Sequence, residues 1–341
     1  MLTKDNTFSK KAIVERILKK FGEQASSGLY NPELLSIMSY VKAYWKEPHR
    51  PALISLACEA VGGNSDVIED AGVVMSLLVA GMAIHDDIID KSINKHYNKQ
   101  NTVFGNKGID KALLTGDLLL LKGLLIGLEV FNNKIFQNKY SSIIKTLREF
   151  IFEIYEGEFM EVHCRKNLNI DIDYQLRYLW KFTSDAGACA RIGSILGNGS
   201  PDEIEALTDF ARMFAFNIFL REELQDSFNL ENNLIHRVKY ESLPLTIIYS
   251  AKTSKQASKE IKSIINKSQI TREDAVKLIY YGFETGAYDY VYNIVEANTK
   301  KALNRISGLG STPAKKELEL MINQSLTQIQ KIRKDTFLYQ K

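Results

Sequence analysis

The sequence has few residues that break helices, cross-link chains or give a surface a strong charge. Only six of its 341 residues are proline, which helices tolerate mainly in their first turn, so a mostly helical protein is predicted. The three cysteines, Cys58, Cys164 and Cys189, lack metal-ligand spacing and cannot form a disulfide framework, which indicates a reduced, cytoplasmic setting. Lysine plus arginine number 44 against 41 aspartates plus glutamates, and this net charge of +3 argues against a nucleic-acid partner.

Long hydrophobic runs are also missing. The longest, Val73 to Ile84, has about 12 residues and contains Ser76 and Gly81, whereas a membrane-spanning helix needs roughly 20. The first 20 residues are polar and lack the apolar core of a signal peptide. We therefore expect no membrane span, and we expect the apolar run to form a core helix.

Helical periodicity dominates the chain, and no alternating strand pattern is evident. Ser200 to Glu203 and Thr271 to Asp274 have the residues of helix N-caps. Without a flexible linker or an internal repeat, we predict one all-α domain over residues 1–341. The predicted helices lie near 8–25, 31–44, 50–61, 65–92, 109–130, 138–166, 172–197, 201–228, 243–252, 256–267, 271–283, 286–306 and 313–333, with loops at 94–101 and 229–233.

A first cluster of carboxylates ends an apolar helix. Asp86 and Asp90 are four residues apart and share a helix face, while Asp87 is turned about 100° away. The C-terminal end of a helix is unfavourable for anions, so a hard cation such as Mg²⁺, held with substrate phosphates, would explain the cluster. The alternative is a solvated helix end with ordinary acidic residues.

A second cluster, Glu222, Glu223 and Asp226, repeats this spacing after another apolar stretch. Alone it fits a charged surface turn. Two such clusters facing each other would instead hold several Mg²⁺ ions around one diphosphate.

The sequence resembles the trans-prenyltransferases, the synthases of geranylgeranyl diphosphate and its relatives. The resemblance rests on both acidic clusters and on several motifs: Arg50-Pro51, the Ala57–Gly63 stretch (ACEAVGG), Thr102 with the Leu113–Leu119 stretch (LLTGDLL), Glu156-Gly157-Glu158, Lys181 with Thr183, and Leu243-Pro244-Leu245.

The resemblance implies an all-α fold, a single large helical bundle around a central cavity of the isoprenoid synthase type. It implies condensation of an allylic diphosphate with isopentenyl diphosphate, Mg²⁺ as cofactor and a homodimer. By family position, Asp86, Asp87, Asp90 and Lys181 are catalytic and Thr183 contacts a diphosphate. The implied metal ligands are Asp86, Asp90, Glu222, Glu223 and Asp226.

Several positions depart from the family pattern on the side that binds isopentenyl diphosphate. Glu47 stands where the family has a cation, and Val79 replaces a histidine. The second cluster begins with glutamates, and the Gly-Lys segment that normally follows it is missing. The cations left to bind this diphosphate are Lys46, Arg50, Lys95 and His96, with Arg237 and Lys239 nearest the second cluster. These departures keep two alternatives open: a non-catalytic subunit of a hetero-oligomeric synthase, or a class I terpene synthase that needs no acceptor.

The length of the product is predicted from the residues before the first cluster. In the family, the growing tail runs along this helix, and Gly81 and Met82 are the residues five and four positions before Asp86. A small glycine and a flexible methionine leave room, so we predict geranylgeranyl diphosphate first and a C25 product next. Alternatively, Gly81 only allows a neighbouring helix to pack closely.

Overall fold

The computed structural model describes residues 10–94, 100–133, 136–229 and 233–337. These residues form α-helices and contain no β-strand. The helices are α1 Lys11–Ser26, α2 Pro32–Tyr44, α3 His49–Ala60, α4 Glu69–Ile89, α5 Val103–Lys107, α6 Ile109–Phe131, α7 Tyr140–Cys164, α8 Ile172–Phe182, α9 Ser184–Leu196, α10 Pro201–Phe228, α11 Ile235–Tyr240, α12 Leu245–Thr253, α13 Lys255–Ile265, α14 Arg272–Glu284, α15 Ala287–Arg305 and α16 Pro313–Phe337.

The helix starts follow local chemistry. Ser200 and Glu203 exchange hydrogen bonds at the start of α10, and Thr271 and Asp274 form a capping box at the start of α14. Both starts were predicted from the sequence. The predicted helix over 172–197 is in fact two helices, α8 and α9, which are separated at Thr183.

The chain divides into two compact units. The first contains Met1–Phe150, Asp185–Thr208 and Leu309–Glu317, and the second contains Ile151–Ser184, Asp209–Gly308 and Leu318–Lys341. The prediction of one domain stays a prediction.

The first unit is built around α4, which packs on α1, α3 and, most extensively, α6. The face of α6 toward α4 is made of small residues. A Cβ at Gly123 would lie 2.9 Å from Leu78 of α4, and one at Gly127 would lie 3.2 Å from Val74. The missing side chains therefore allow the two helices to approach closely.

In the second unit, α12 packs against α8, α13, α14 and α15. Its buried side chains, Leu245, Ile247, Ile248 and Ala251, join one hydrophobic core with residues of the surrounding helices. This core supports the segment that contains the second acidic cluster.

Two predictions about composition can be compared with the structure. Cys58, Cys164 and Cys189 are buried and free of disulfides, as predicted. Helix α4 has the length and hydropathy of a membrane-spanning helix, but 67% of its most apolar window is buried within the protein. Core helices share these properties, so α4 does not establish a membrane span.

Candidate active site

The first acidic cluster lies at the end of α4, where the chain reverses direction. The N–H of Ser92 donates to the carbonyl of Asp87 (2.8 Å) and that of Lys91 donates to the carbonyl of Ile88 (3.2 Å), while Lys91 adopts a left-handed conformation (φ 55°). This is a Schellman C-terminus with lysine at the position that usually favours glycine. It fixes the last turn of α4 and with it the three aspartates.

The carboxylates of this cluster are close to the protein interior. The exposed fractions of Asp87 and Asp90 are 3% and 8%, and Asp86 is half-buried. They lie at the negative end of the α4 dipole, where a cation is the stabilising partner.

His85, the residue before the cluster, connects α4 to α6. Its Nε2 lies 3.3 Å from Asp117 Oδ1 and 3.3 Å from the Leu113 carbonyl oxygen. A Cβ at Gly116 would lie 2.4 Å from the His85 ring, so only glycine leaves room for it. The Gly116-Asp117 motif therefore holds the helix end that carries the aspartates.

Thr102 fixes the base of the loop that follows the cluster. Its hydroxyl donates to the Ser92 carbonyl (2.7 Å) and accepts from the Gly105 N–H (2.9 Å), which caps α5. Its backbone N–H donates to the Ile93 carbonyl. Lys95 and His96, predicted to bind the acceptor diphosphate, lie outside the described residues.

Arg50, another predicted acceptor-site cation, is bonded to two carboxylates of its own unit. Its Nε donates to Asp185 Oδ2 (2.7 Å), and its Nη1 lies 3.2 Å from Glu47. Glu47 also accepts the backbone N–H of His49 (2.8 Å). Burial opposes ionisation of Glu47, but Arg50, His49 and these backbone bonds leave its pKa below the usual value.

The single positive charge of Arg50 therefore lies beside two negatively charged carboxylates. Its binding of an acceptor diphosphate stays a prediction, and its partner Asp185 carries no sequence signal. Lys46, four residues earlier, is exposed.

The second acidic cluster is on the last turns of α10, and Arg237 of α11 binds two of its three acids. The guanidinium lies 3.5 Å from Glu223 and 3.1 Å from Asp226. Arg237 also pairs with Glu241 (3.2 Å) and is 11% exposed. Burial opposes its charge, but the carboxylates raise the pKa of Arg237 well above its usual range.

The donors of Arg237 face carboxylates in this structure, and its binding of a diphosphate stays a prediction. Lys239 is exposed and lies over the Tyr240 ring.

A buried hydrogen-bonded chain supports this region, and sequence reasoning missed it. Gln175 donates to the Leu243 carbonyl (2.7 Å), the Tyr178 hydroxyl lies 2.8 Å from Ser242 Oγ, and Ser242 donates to Glu161 (2.8 Å). These residues are spread over three segments of the chain, so their spacing gives no signal. They fix the turn between α11 and α12 behind the second cluster.

Lys181 and Thr183 lie at the end of α8. Lys181 pairs with Glu156 (2.7 Å), whose side chain is largely exposed. Thr183 is fully buried, donates to the Trp180 carbonyl (2.6 Å) and accepts from Arg212 Nε (3.1 Å). Thr183 makes internal hydrogen bonds in this structure, and the roles of Lys181 and Thr183 at a diphosphate stay predictions.

Gly81 makes room for α6. A Cβ there would lie 2.7 Å from Leu120 Cγ and 2.8 Å from the Gly116 carbonyl oxygen. These contacts support the alternative that Gly81 allows close helix packing, and its role beside a prenyl tail stays a prediction. Met82, the next residue, is half-buried and stays a candidate for the wall of the tail site.

The donor chemistry of the first cluster fits Mg²⁺ that is shared with substrate phosphates. Mg²⁺ in such sites takes one or two protein carboxylates and completes its shell with water and phosphate oxygens. Among the described residues, no group of three histidine, cysteine or acidic side chains forms a metal cage by itself. Asp86 and Asp90 carry carboxylate oxygens of the kind that Mg²⁺ prefers, and Glu223 and Asp226 lie beside Arg237.

Comparison with known proteins identifies the family. The sequence model of the polyprenyl synthetases matches residues 32–281, which is more than two thirds of the chain. The chain belongs to the polyprenyl synthetase family. This confirms the family and the enzyme class predicted from the motifs.

Two individual relatives have names that belong to the same class of enzyme. A geranylgeranyl diphosphate synthase of Methanosarcina mazei is 26% identical over 269 residues, which cover 78% of this chain and 81% of the relative. A short chain isoprenyl diphosphate synthase of Methanothermobacter thermautotrophicus is 23% identical over 330 residues, which cover 89% of this chain and 95% of the relative.

Solved structures confirm the all-α isoprenoid synthase fold. The geranylgeranyl pyrophosphate synthetase of Pyrococcus horikoshii matches with a TM-score of 0.80 at 20% identity, over 92% of this chain and 98% of that one. A decaprenyl diphosphate synthase of Rhodobacter capsulatus matches with a TM-score of 0.83 at 18% identity, over 93% and 96%.

Proposed function

We propose that this polyprenyl synthetase condenses an allylic diphosphate with isopentenyl diphosphate and depends on Mg²⁺. The observation that carries the proposal is the first acidic cluster: three aspartates fixed at the end of a buried helix, with Asp87 and Asp90 almost fully buried. Relatives whose names specify prenyl diphosphate synthesis share its family.

In this reaction the allylic C1–O bond breaks and the diphosphate leaves with the electron pair. The double bond of isopentenyl diphosphate then forms the new C–C bond to C1, and its C2 loses a proton to the released diphosphate. Bound Mg²⁺ would supply positive charge to the leaving group. Asp86 and Asp90 would orient that charge, and the apolar body of α4 would keep water from the carbocation.

The experiment compares Asp86→Ala with a control, Asp110→Ala, an exposed acid in the first turn of α6. Loss of electrostatic stabilisation at the leaving group should lower turnover by at least ~10³-fold in Asp86→Ala. The control should keep its activity, and both variants should retain the helical circular dichroism of the wild type. Equal activity in the two variants would show that the first cluster does not take part in the reaction.

For the product we propose geranylgeranyl diphosphate, with a C25 diphosphate as the next candidate. Synthases of geranylgeranyl diphosphate are among the relatives. The half-buried, flexible Met82 lies one turn before Asp86 and is suited to form a soft wall of the tail site.

We also propose a homodimer and a cytoplasmic location. Small residues on one face of α6 pack against α4. Leucines on the opposite face are exposed: Leu114 is 66% exposed, Leu121 58%, Leu125 59% and Leu128 41%. Monomeric proteins expose scattered apolar residues, whereas these leucines form a continuous stripe. We propose that a second copy of the chain covers this stripe. The free, buried cysteines support a reducing compartment.

A second candidate function is favoured by Arg50. Because Asp185 and Glu47 hold this guanidinium, an incoming diphosphate would compete with two carboxylates for it. A subunit that leaves acceptor binding to an active homologue, or a terpene synthase without an acceptor, needs no open cation there. Incubation with Mg²⁺, labelled isopentenyl diphosphate and an allylic starter separates the three: an elongated diphosphate supports the synthase, a hydrocarbon or alcohol the terpene synthase, and neither the partner subunit.

A further inference from the structure

The positive charge of this protein is concentrated in one short segment. Residues 252–267, which include the whole of α13, contain five lysines and one glutamate. Their net charge of +4 exceeds the +3 of the entire chain, so the remaining residues carry a small negative excess. The segment therefore attracts anionic partners, whereas the rest of the chain does not.

Helix α13 separates its lysines from its apolar residues. Its buried side chains belong to the core of the second unit: Ala257, Ile261, Ile264 and Ile265. Lys255, Lys259 and Lys262 follow one another at helical spacing on the opposite side and are exposed. Lys252, on the last turn of α12, is exposed as well. These four lysines form a surface that we call the basic face.

The lysines of the basic face have no acidic partner. Among the described residues, no carboxylate lies within 4.0 Å of any of the four ammonium groups. Exposed lysines elsewhere do pair with a glutamate one turn away, as Lys300 does with Glu296 (3.3 Å). Lys267, the fifth lysine of the segment, pairs with Asp274 (2.5 Å). The basic face is therefore open to an anion from outside the chain.

The charged groups around the basic face leave its positive charge in excess. Glu260 of α13 is half-buried, and Asp171 and Asp173 line a surface depression together with Lys252. Helix α14 packs against α13 and has two exposed cations and two exposed acids, so it adds no net charge: Arg272, Lys277, Glu273 and Glu284.

Two apolar side chains on the neighbouring α14 are exposed at adjacent turns. Val276 is 47% exposed and Tyr280 is 57% exposed. The apolar ring and polar hydroxyl of a tyrosine suit the boundary between lipid headgroups and acyl chains. Lysines next to such residues favour a lipid surface over a nucleic acid, which would need the charge alone.

We propose that the basic face, with Val276 and Tyr280 on the adjoining helix, binds the protein reversibly to membranes that contain anionic lipids. Four lysines are at the lower limit of the clusters that recognise such lipids, so the binding is weak and sensitive to salt. The apolar side of α13 stays in the protein core, so no helix enters the bilayer. The inference goes beyond the proposed function and does not depend on it.

The test is co-sedimentation of the full-length protein with lipid vesicles. One set of vesicles contains equal parts of phosphatidylglycerol and phosphatidylcholine, and the other contains phosphatidylcholine alone. The basic-face variant combines three substitutions by glutamine, which keeps good helix propensity: Lys255→Gln, Lys259→Gln and Lys262→Gln. The control variant removes the same charge at exposed lysines that pair with glutamates: Lys11→Gln, Lys19→Gln and Lys300→Gln.

The wild type should bind the anionic vesicles but not the neutral ones, and added salt should release it. Each lysine near an anionic surface strengthens binding about fivefold, so the basic-face variant should bind ~100-fold more weakly. The control variant should stay within about threefold of the wild type, because its lysines lie elsewhere. Equal weakening in the two variants would show an effect of net charge alone and would overturn the proposal.

The wild type tests the proposal even if a variant does not fold, because equal binding to anionic and neutral vesicles, or binding to neither, would overturn it. A single-stranded RNA oligonucleotide provides the competing partner. If the wild type retards this RNA and ignores vesicles, and the basic-face variant does neither, the basic face is a nucleic-acid site and the lipid proposal is wrong.

The outcome is separable from that of the proposed function. Product formation should be unchanged in both variants, since the six lysines lie outside the two acidic clusters. Vesicle binding by a wild type that forms no product would contradict the proposed function alone. Normal product formation without vesicle binding would contradict this inference alone.

Discussion

Several charged side chains in this protein are bonded to partners of opposite charge that the sequence does not reveal. Arg212 illustrates the pattern: it pairs with Glu153, donates to the Trp180 carbonyl (2.9 Å) and stacks over the Trp180 ring. A sequence identifies the charged residue but not its tertiary partner. Arg50 and Arg237 are predicted from the sequence to bind a diphosphate, and the structure shows the carboxylates that lie beside each of them.

The charge of Glu241 gives the stability a pH dependence. Burial raises its pKa from 4.5 to about 7, although Arg237 acts in the opposite direction. A carboxyl whose pKa is raised on folding stabilises the folded state below pH 4.5, and this contribution is lost as the pH rises through about 7.

We therefore expect the unfolding free energy of the wild type, relative to Glu241→Gln, to fall between pH 5 and pH 8 by up to ~3 kcal/mol. Urea denaturation at several pH values measures this difference. Glu296→Gln, at a half-exposed glutamate of α15, is the control and should show a flat difference. A flat difference for Glu241→Gln as well would contradict the assigned pKa.

At the scale of elements, the pairing of α4 with α6 positions the first acidic cluster. Gly81 and His85 of α4 face Gly116 and Leu120 of α6. At the two glycines the helices are in backbone contact, because no side chain separates them. This close contact fixes the position of α4 along α6.

Gly81→Ala tests this packing. Its Cβ would lie 2.8 Å from the Gly116 carbonyl oxygen, so the helices must shift, and we expect a loss of about 1–3 kcal/mol in unfolding free energy. Gly308→Ala, where a Cβ meets nothing within 4 Å, should change stability far less. Denaturant unfolding of both variants gives the comparison, and equal stability would mean that α4 and α6 are not in close contact at Gly81.

The long helices were predictable from the sequence because each carries apolar residues at helical spacing over many turns. The short α5 and α11 were not, since helices of five or six residues depend on tertiary contacts. Helix α5 forms where Thr102 caps it. The break between α8 and α9 at Thr183 has no proline or glycine to mark it.

At the scale of the whole molecule, the acidic clusters and the motifs around them sufficed to predict the family, because their residue types and spacing are specific. The partner of Arg50 was not predictable, because Asp185 is 135 positions from Arg50 in the sequence. The exposed leucines of α6 were also hidden in the sequence, where they resemble an ordinary core helix.

The exposed leucines of α6 predict that the protein is a homodimer. Light scattering coupled to size exclusion should give twice the chain mass for the wild type. Leu121→Glu combined with Leu125→Glu should give a monomer, because two charges would be buried in the interface. Leu320→Glu, at an isolated exposed leucine of α16, should remain a dimer. A monomeric wild type, or a dimer in all three proteins, would rule out this face as the interface.

The most direct test of the central claim is a product assay with the purified full-length protein. It is incubated with Mg²⁺, farnesyl diphosphate and labelled isopentenyl diphosphate, and the extracted prenyl diphosphates are separated by chain length. We predict label in geranylgeranyl diphosphate and its loss when Mg²⁺ is chelated. Label that stays entirely in isopentenyl diphosphate, with a folded protein and Mg²⁺ present, would contradict the assignment of this chain as a prenyl diphosphate synthase.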